Sequence, residues 1–476
     1  MIVDKKWLFI VPIELSLLAI TALVPERFLV SGVFFIWLDM IIYSLDNIKD
    51  RSALFAFLIS FFLFLIGREL LETFGLHSIE FKYEDSINIF THFLLILSLI
   101  FIFLGYIVSD HVRVRSHHVT NVIDYESAYY KTVRKVSKLI FGLTYAFNLL
   151  ELIDVVRYVF QHGYLSLYTS YSSSMPYVVG KIGDISIIAY YIFLGTFPDK
   201  DEIKVPTIFY TISLLVSLGT GSRFQFASGL LMLTVYWMAR NRINSGGDIW
   251  FGRREWLLVF LMLPVLLTVL FAIGNIRMGN DSTIRTKNIL DSITDFFYKQ
   301  GVSSNIIKRT KVYADIIPKK SYLFGTTYEM IHNNVIFRLL GVEELSGNTV
   351  RHAVDGFSYQ HAISYAIMGN YYLQGHGYGS CFIAEAYHDL GYLGVMLVSF
   401  IYGCIINKMF NFNNKGIWRM AVLMTALHEI ILAPRGSADG FIASLVDMTT
   451  WGSILIIYFI SNQIYRKSVA GLAEIS

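Results

Sequence analysis

The chain has 476 residues, of which 55% are hydrophobic, 16% aromatic and 16% charged, against about 25% charged in an ordinary soluble domain. With a mean hydropathy of +0.53 and a net charge of only +3, this composition excludes a soluble enzyme, a nucleic-acid binder and a disulfide scaffold. It points to an all-α, polytopic membrane protein.

The first apolar run, Trp7 to Val24, follows Lys5 and Lys6 as a signal peptide would. It carries Pro12 and Glu14, however, and ends in Pro25, Glu26 and Arg27 without a small-residue cleavage site, so it reads as a retained first span. Hydropathy predicts further spans over 28–45, 53–70, 89–108, 138–160, 179–197, 205–221, 224–239, 256–274, 382–406, 417–433 and 442–463, twelve in all. The chain then divides into nine membrane helices over 1–274, one large loop over 275–381, and three helices with a C-terminal tail over 382–476. Cys381 and Cys404, the only two cysteines, lie on one predicted helix at about 1.5 Å per residue, too far apart to be bridged.

Basic residues set the expected orientation, because cytoplasmic loops retain Lys and Arg. Alternate segments collect Lys49, Arg51, Arg113, Arg115, Lys131, Arg134, Lys200, Lys204, Arg253, Arg254, Lys408 and Arg419, whereas the short loops between them hold Arg27, Lys82, Lys181, Arg223 and Arg435. Both termini are therefore expected in the cytoplasm and the large loop outside. Within that loop, 286–300 and 326–340 space their apolar residues as amphipathic helices do.

Charged groups at membrane depth are costly unless paired or wet. Glu151, Asp154 and Arg157 share one face of the fifth span and Arg68 can reach Glu72, so internal ion pairs and functional groups are both open readings. His111, His117 and His118 fall in a basic loop without metal-ligand spacing and read as solvated. Arg223 stands in a Gly/Ser turn between two spans, where a guanidinium could either grip a lipid phosphate or anchor at the interface. Arg435 repeats that setting after Pro434. Arg277, where the ninth span ends, makes a third such arginine, with an ion pair to Asp281 as its alternative.

From Arg351 to Gly394 the sequence is densest in polar and aromatic groups: Arg351, Tyr359, Gln360, His361, His376, Tyr378, Ser380, Glu385 and Tyr387. Sugars bind to aromatic faces rimmed by polar side chains, and His361 or Glu385 could titrate there. An aromatic belt accounts for the tyrosines nearest the bilayer but not for His361, His376 and His388. No Walker, dinucleotide, GxSxG, HExxH or paired-Cys pattern occurs, which argues against nucleotide-driven chemistry.

GFSYQHAISY from Gly356 to Tyr365 and GHGYGSCFIAEAYHDLGYLG from Gly375 to Gly394, with the turns at Arg223 and Arg435, resemble Wzy-type O-antigen (oligosaccharide repeat-unit) polymerases. The resemblance implies a GT-C, O-antigen-ligase-like helical fold in the bacterial inner membrane. It further implies an inverting, metal-independent glycosyltransferase with no cofactor, acting on undecaprenyl-diphosphate-linked donor and acceptor glycans among membrane lipids. A chain-length regulator is a partner that the family adds. The related ligases carry a His-Asn pair where this chain has Ser380 and Cys381, which leaves His361 or His376 as a base, or leaves the arginines to do most of the work on an already good leaving group. The expected catalytic residues are Arg223, His361, Glu385 and Arg435. Arg277, Arg351, Tyr359, Gln360, His376, Tyr378, Ser380 and Tyr387 are expected to bind substrate. A flippase of lipid-linked oligosaccharides is the competing class, and a ligase the nearest competing enzyme.

Overall fold

The computed structural model describes residues 7–115, 124–221, 224–243, 249–257, 289–409 and 416–473, and the secondary structure among them is entirely helical. Among the described residues, eight helices are long and apolar enough to cross a membrane: Pro25–Asp46, Ile48–Thr73, Asp85–His111, Ala128–His162, Tyr177–Gly195, Lys200–Thr220, Phe382–Met409 and Ile417–Arg435. A pair bent by 47°, Gly440–Val446 and Met448–Ala470, would make a ninth. Three of the twelve expected spans remain. Trp7–Thr21 has only 15 residues, and Phe224–Ile243 is shortened as an apolar stretch by Arg240, Asn241 and Arg242. Most of 256–274 lies outside the described residues.

The bundle is held by close helix approaches of the kind small residues permit in lipid. Where Asp85–Arg115 meets Phe382–Met409, a Cβ on Gly105 would collide with the carbonyl of Phe400, and one on Gly403 with that of Ile102. The hydroxyls of Ser98 and Ser399 meet across the same seam at 2.9 Å. Loops alternate between two faces. On one, Arg134 donates to the Thr196 carbonyl at 3.0 Å, Arg240 to the Pro198 carbonyl at 3.0 Å, and Lys200 to that of Ile249 at 2.8 Å.

On the other face the connections at 74–84, 163–176 and 433–439 all join residues 289–381. His77 meets Asp295 at 2.6 Å, Asn348 N–H donates to the Tyr168 carbonyl at 2.8 Å, and Thr327 N–H donates to Asp439 at 2.7 Å. The large segment is helical in short pieces: Ile289–Gln300, Val302–Val312, Gly325–His332, Val335–Leu339, Val350–Val354, Tyr359–Met368 and Asn370–Leu373. The amphipathic helix expected over 326–340 is thus two, because Asn334 interrupts it and caps the second by accepting the Ile336 N–H at 2.7 Å.

Of the charged residues on the fifth span, Asp154 accepts from Tyr171, Ser173 and Ser174 and so fastens the following loop, while Glu151, together with Asp184 of the Tyr177–Gly195 helix, lines a bundle cavity of about 440 Å³. Arg68 does pair with Glu72, at 2.7 Å.

Candidate active site

Three segments distant in sequence meet at the loop-bearing face around a polar cleft of about 250 Å³. The Tyr359–Met368 helix contributes Gln360, His361 and Ser364, and the turn that follows Leu373 contributes His376 and Tyr378. Tyr168 ends the short turn Leu165–Tyr168 and Tyr164 immediately precedes it, and Arg435 comes from the turn Ala433–Arg435. Gly375 (φ +94°) makes this convergence possible, since a Cβ there would strike the Leu165 carbonyl.

Arg435 donates to the Gln300 carbonyl at 3.4 Å, and its guanidinium lies 5.4 Å from the ring of Phe64. Phe64 belongs to a π-helical turn, Phe62–Ile66, inside a spanning helix; such widened turns commonly shape functional sites. Tyr378 is fixed from two sides: its N–H donates to Ser364 at 3.0 Å, and the Arg309 guanidinium stacks 3.6 Å from its ring. The His361 Nδ1 is 2.8 Å from the Tyr372 hydroxyl, and its Nε2 is 3.3 Å from the Gln360 amide nitrogen. Burial, and then the charge of His352, pull the His361 ring down to about 3, so it is neutral.

The cleft thus gathers Gln360, His361, His376, Tyr378 and Arg435. The remaining sequence candidates stand elsewhere. Arg351 pairs with Glu343 on an exposed surface. Tyr359 is 1% exposed and its hydroxyl meets that of Thr310 at 2.7 Å, which makes it part of the packing beneath the cleft; burial raises its phenol. Glu385 is equally buried, accepting from the Ser380 hydroxyl at 2.5 Å and from the Ala438 N–H at 2.7 Å. Ser380 and Glu385 therefore tie the start of the Phe382–Met409 helix to the turn that bears Arg435. Tyr387 packs against Phe90 and lines a separate cavity of about 580 Å³, beside His388, Asp389 and Lys320. Arg223 and Arg277 lie outside the described residues.

Several cleft residues carry no sequence signal of their own. Tyr164 and Tyr168 sit in a Tyr/Ser-rich stretch, and Arg309, which supports the cleft by stacking on Tyr378, lies in a short and mostly polar helix. Among the described residues no three His, Cys, Asp or Glu side chains gather where they could hold a metal ion. Chemically, the cleft offers a cation, two histidines, an amide and tyrosine faces, a set suited to sugar hydroxyls next to an anionic group.

No curated protein and no solved structure matches the chain. The family model of the O-antigen polysaccharide polymerase Wzy matches residues 7–468, nearly the whole chain, and this multi-pass membrane protein of polysaccharide biosynthesis belongs to that family.

Proposed function

We propose that the chain polymerises undecaprenyl-diphosphate-linked repeat units by inverting, metal-independent glycosyl transfer at the outer face of the plasma membrane. The Wzy family acts on lipid-linked oligosaccharide repeat units in membranes, and membership implies O-antigen polymerase activity. The observation that carries the finer reading is the cleft itself, where Arg435 stands at the edge of a pocket lined by Gln360, His361, His376 and Tyr378 on the face where the long loops gather. The reading keeps twelve spans in a GT-C, ligase-like arrangement with both termini in the cytoplasm, in accord with the basic residues of the opposite loops.

In this mechanism Arg435, joined by Arg223 and Arg277, holds the diphosphate of the growing chain. The planar fork of arginine matches phosphate oxygens and neutralises the charge that develops as the anomeric C–O bond breaks. The Gln360, His361, His376 and Tyr378 side chains orient the acceptor unit. Its hydroxyl oxygen bonds to the opposite face of the anomeric carbon, undecaprenyl diphosphate departs, and the hydroxyl proton passes to water.

Surface polysaccharide from a deletion strain tests the class. Lipid A core carrying a single repeat unit and no ladder is the expected result, whereas core with no unit at all indicates a flippase and a normal ladder rejects both. Purified protein should extend lipid-linked repeats without nucleotide or divalent metal. Loss of that activity in EDTA, restored by magnesium or manganese, would overturn the arginine mechanism.

A further inference from the structure

Glu329, His352 and His361 come from three separate helices, Gly325–His332, Val350–Val354 and Tyr359–Met368. Both ring nitrogens of His352 face oxygens that accept hydrogen bonds: Nδ1 is 2.7 Å from the Gly347 carbonyl, and Nε2 is bonded to the Glu329 carboxylate. An imidazole between two acceptors carries a hydrogen on each nitrogen, which makes it an imidazolium. Burial works against that charge, but the Glu329 carboxylate outweighs it and holds the His352 ring above its ordinary value.

The His361 ring lies on that imidazolium with the centroids 3.7 Å apart and the planes 28° from parallel. A second positive charge at this separation, in a largely dry setting, is strongly disfavoured. His361 is therefore the neutral member of the stack. The other groups around it are the Tyr372 hydroxyl at Nδ1, Gln360 at Nε2, and His376, Tyr378 and Arg435, which line the same cleft. Lys320, which donates to the Val354 carbonyl, interacts with Glu329 through its charge. With Gln360 donating to Nε2, the His361 hydrogen sits on Nδ1 and points to Tyr372. The Nε2 lone pair then lies on the cleft side, where a sugar hydroxyl can take the place of the long Gln360 contact.

We propose that Glu329 and His352 are positioning residues: the pair holds a fixed positive charge against His361, so that His361 meets the acceptor sugar as an uncharged hydrogen-bond acceptor. This rests on reading the cleft as the acceptor site. Replacing Glu329 by Gln, or His352 by Phe, removes the charge behind the ring and lets His361 itself take up a proton as the pH falls.

Diethyl pyrocarbonate acylates only neutral imidazole, so its rate at His361, read by mass spectrometry on the reconstituted full-length protein, reports this state without any need for activity. Between about pH 8 and about pH 4, on either side of the ordinary histidine value, the wild-type rate should change less than about twofold. In Glu329→Gln and His352→Phe, where burial alone still opposes the proton, it should fall about fourfold at the acid end, and the acid limb of polymerisation should move up with it. Glu329→Asp should restore the wild-type profile, which a merely structural role would not predict. A flat rate in either folded variant overturns the proposal, as does a wild-type rate that falls at acid pH. A wild-type protein that shows the expected acylation but polymerises nothing would instead reject the reading of the cleft.

Discussion

Lys308 Nζ lies 2.8 Å from a carboxylate oxygen of Glu69, with the two side chains only 1% and 2% exposed. One residue belongs to a helix of the large loop-bearing segment and the other to a spanning helix. Lys308 also reaches Glu72 at 3.1 Å, His92 meets Glu69 at 2.9 Å, and Arg68 bonds Glu72 and the Tyr298 hydroxyl. Lys308 and Arg68 thus balance Glu69 and Glu72, and the segment that carries the cleft is clamped to the bundle by charge as well as by packing.

Removing one partner of such a buried set leaves an uncompensated charge, which typically costs about 3–5 kcal/mol. Lys308→Met should therefore lower the thermal stability of the purified protein and expose the 289–381 segment to trypsin. The double variant Lys308→Met/Glu69→Gln, which removes both charges, should recover most of the loss. Equal instability in the single and double variants would mean that shape, and not charge balance, decides the contact.

Arg435→Lys should impair polymerisation almost as much as Arg435→Ala, because lysine keeps the charge but loses the planar fork. Removing one preorganised donor to a developing anion costs on the order of 10² in rate, and ladder length on a gel of surface polysaccharide, at matched protein level, measures it. The same order of loss is expected for Arg223. A full ladder with Arg435→Ala would reduce that residue to an interfacial anchor.

The spanning helices were largely legible because hydropathy over eighteen residues survives any tertiary context. The helix Val302–Val312 was not. Its Ser303, Ser304, Asn305, Lys308 and Thr310 are polar residues without a helical apolar spacing, and all five are buried. The partners that make this tolerable, Glu69 and Glu72 for Lys308, lie more than two hundred residues away in sequence, where no spacing rule reaches. Dense polar and aromatic composition marked the segment that supplies Gln360, His361, His376 and Tyr378, but not which of its members face the cleft. Tyr359 and Gln360 are neighbours in sequence, and the helix turns one into the core and the other outward. Glu329 and His352 belong to no motif, and only the folded loop lays His352 against His361.

The two faces of the bundle give a topology test with substitutions at exposed positions. In a cysteine-free background, single cysteines at Leu76 and Leu340, which are 64% and 73% exposed on the loop-bearing face, should react with an impermeant thiol reagent added to whole cells with a permeabilised outer membrane. A cysteine at Asp201, in the first turn of a helix that begins on the opposite face, should not react. Labelling at Asp201 with protection at Leu340 would invert the orientation and remove the cleft from the side where lipid-linked repeat units are expected.

Glu385 offers the sharpest separation between a catalytic acid or base and a support. Its two oxygens accept from Ser380 and from the Ala438 N–H, and Ala438 follows Arg435 by three residues in the same turn. A second carboxylate, Asp439, holds the turn from the other side through the Thr327 N–H. If Glu385 acts through this geometry, Glu385→Gln retains a carbonyl oxygen for the Ala438 N–H and should keep most of the polymerising activity. Glu385→Ala leaves a buried N–H without an acceptor, a loss of about 1–3 kcal/mol that should loosen the turn and shorten the ladder together with protein stability. A proton-transfer role predicts the opposite pattern, with Glu385→Gln as inactive as Glu385→Ala while its stability stays near wild type. Measuring ladder length beside thermal stability for the two variants therefore decides whether Glu385 takes part in the reaction or holds Arg435 in place for it.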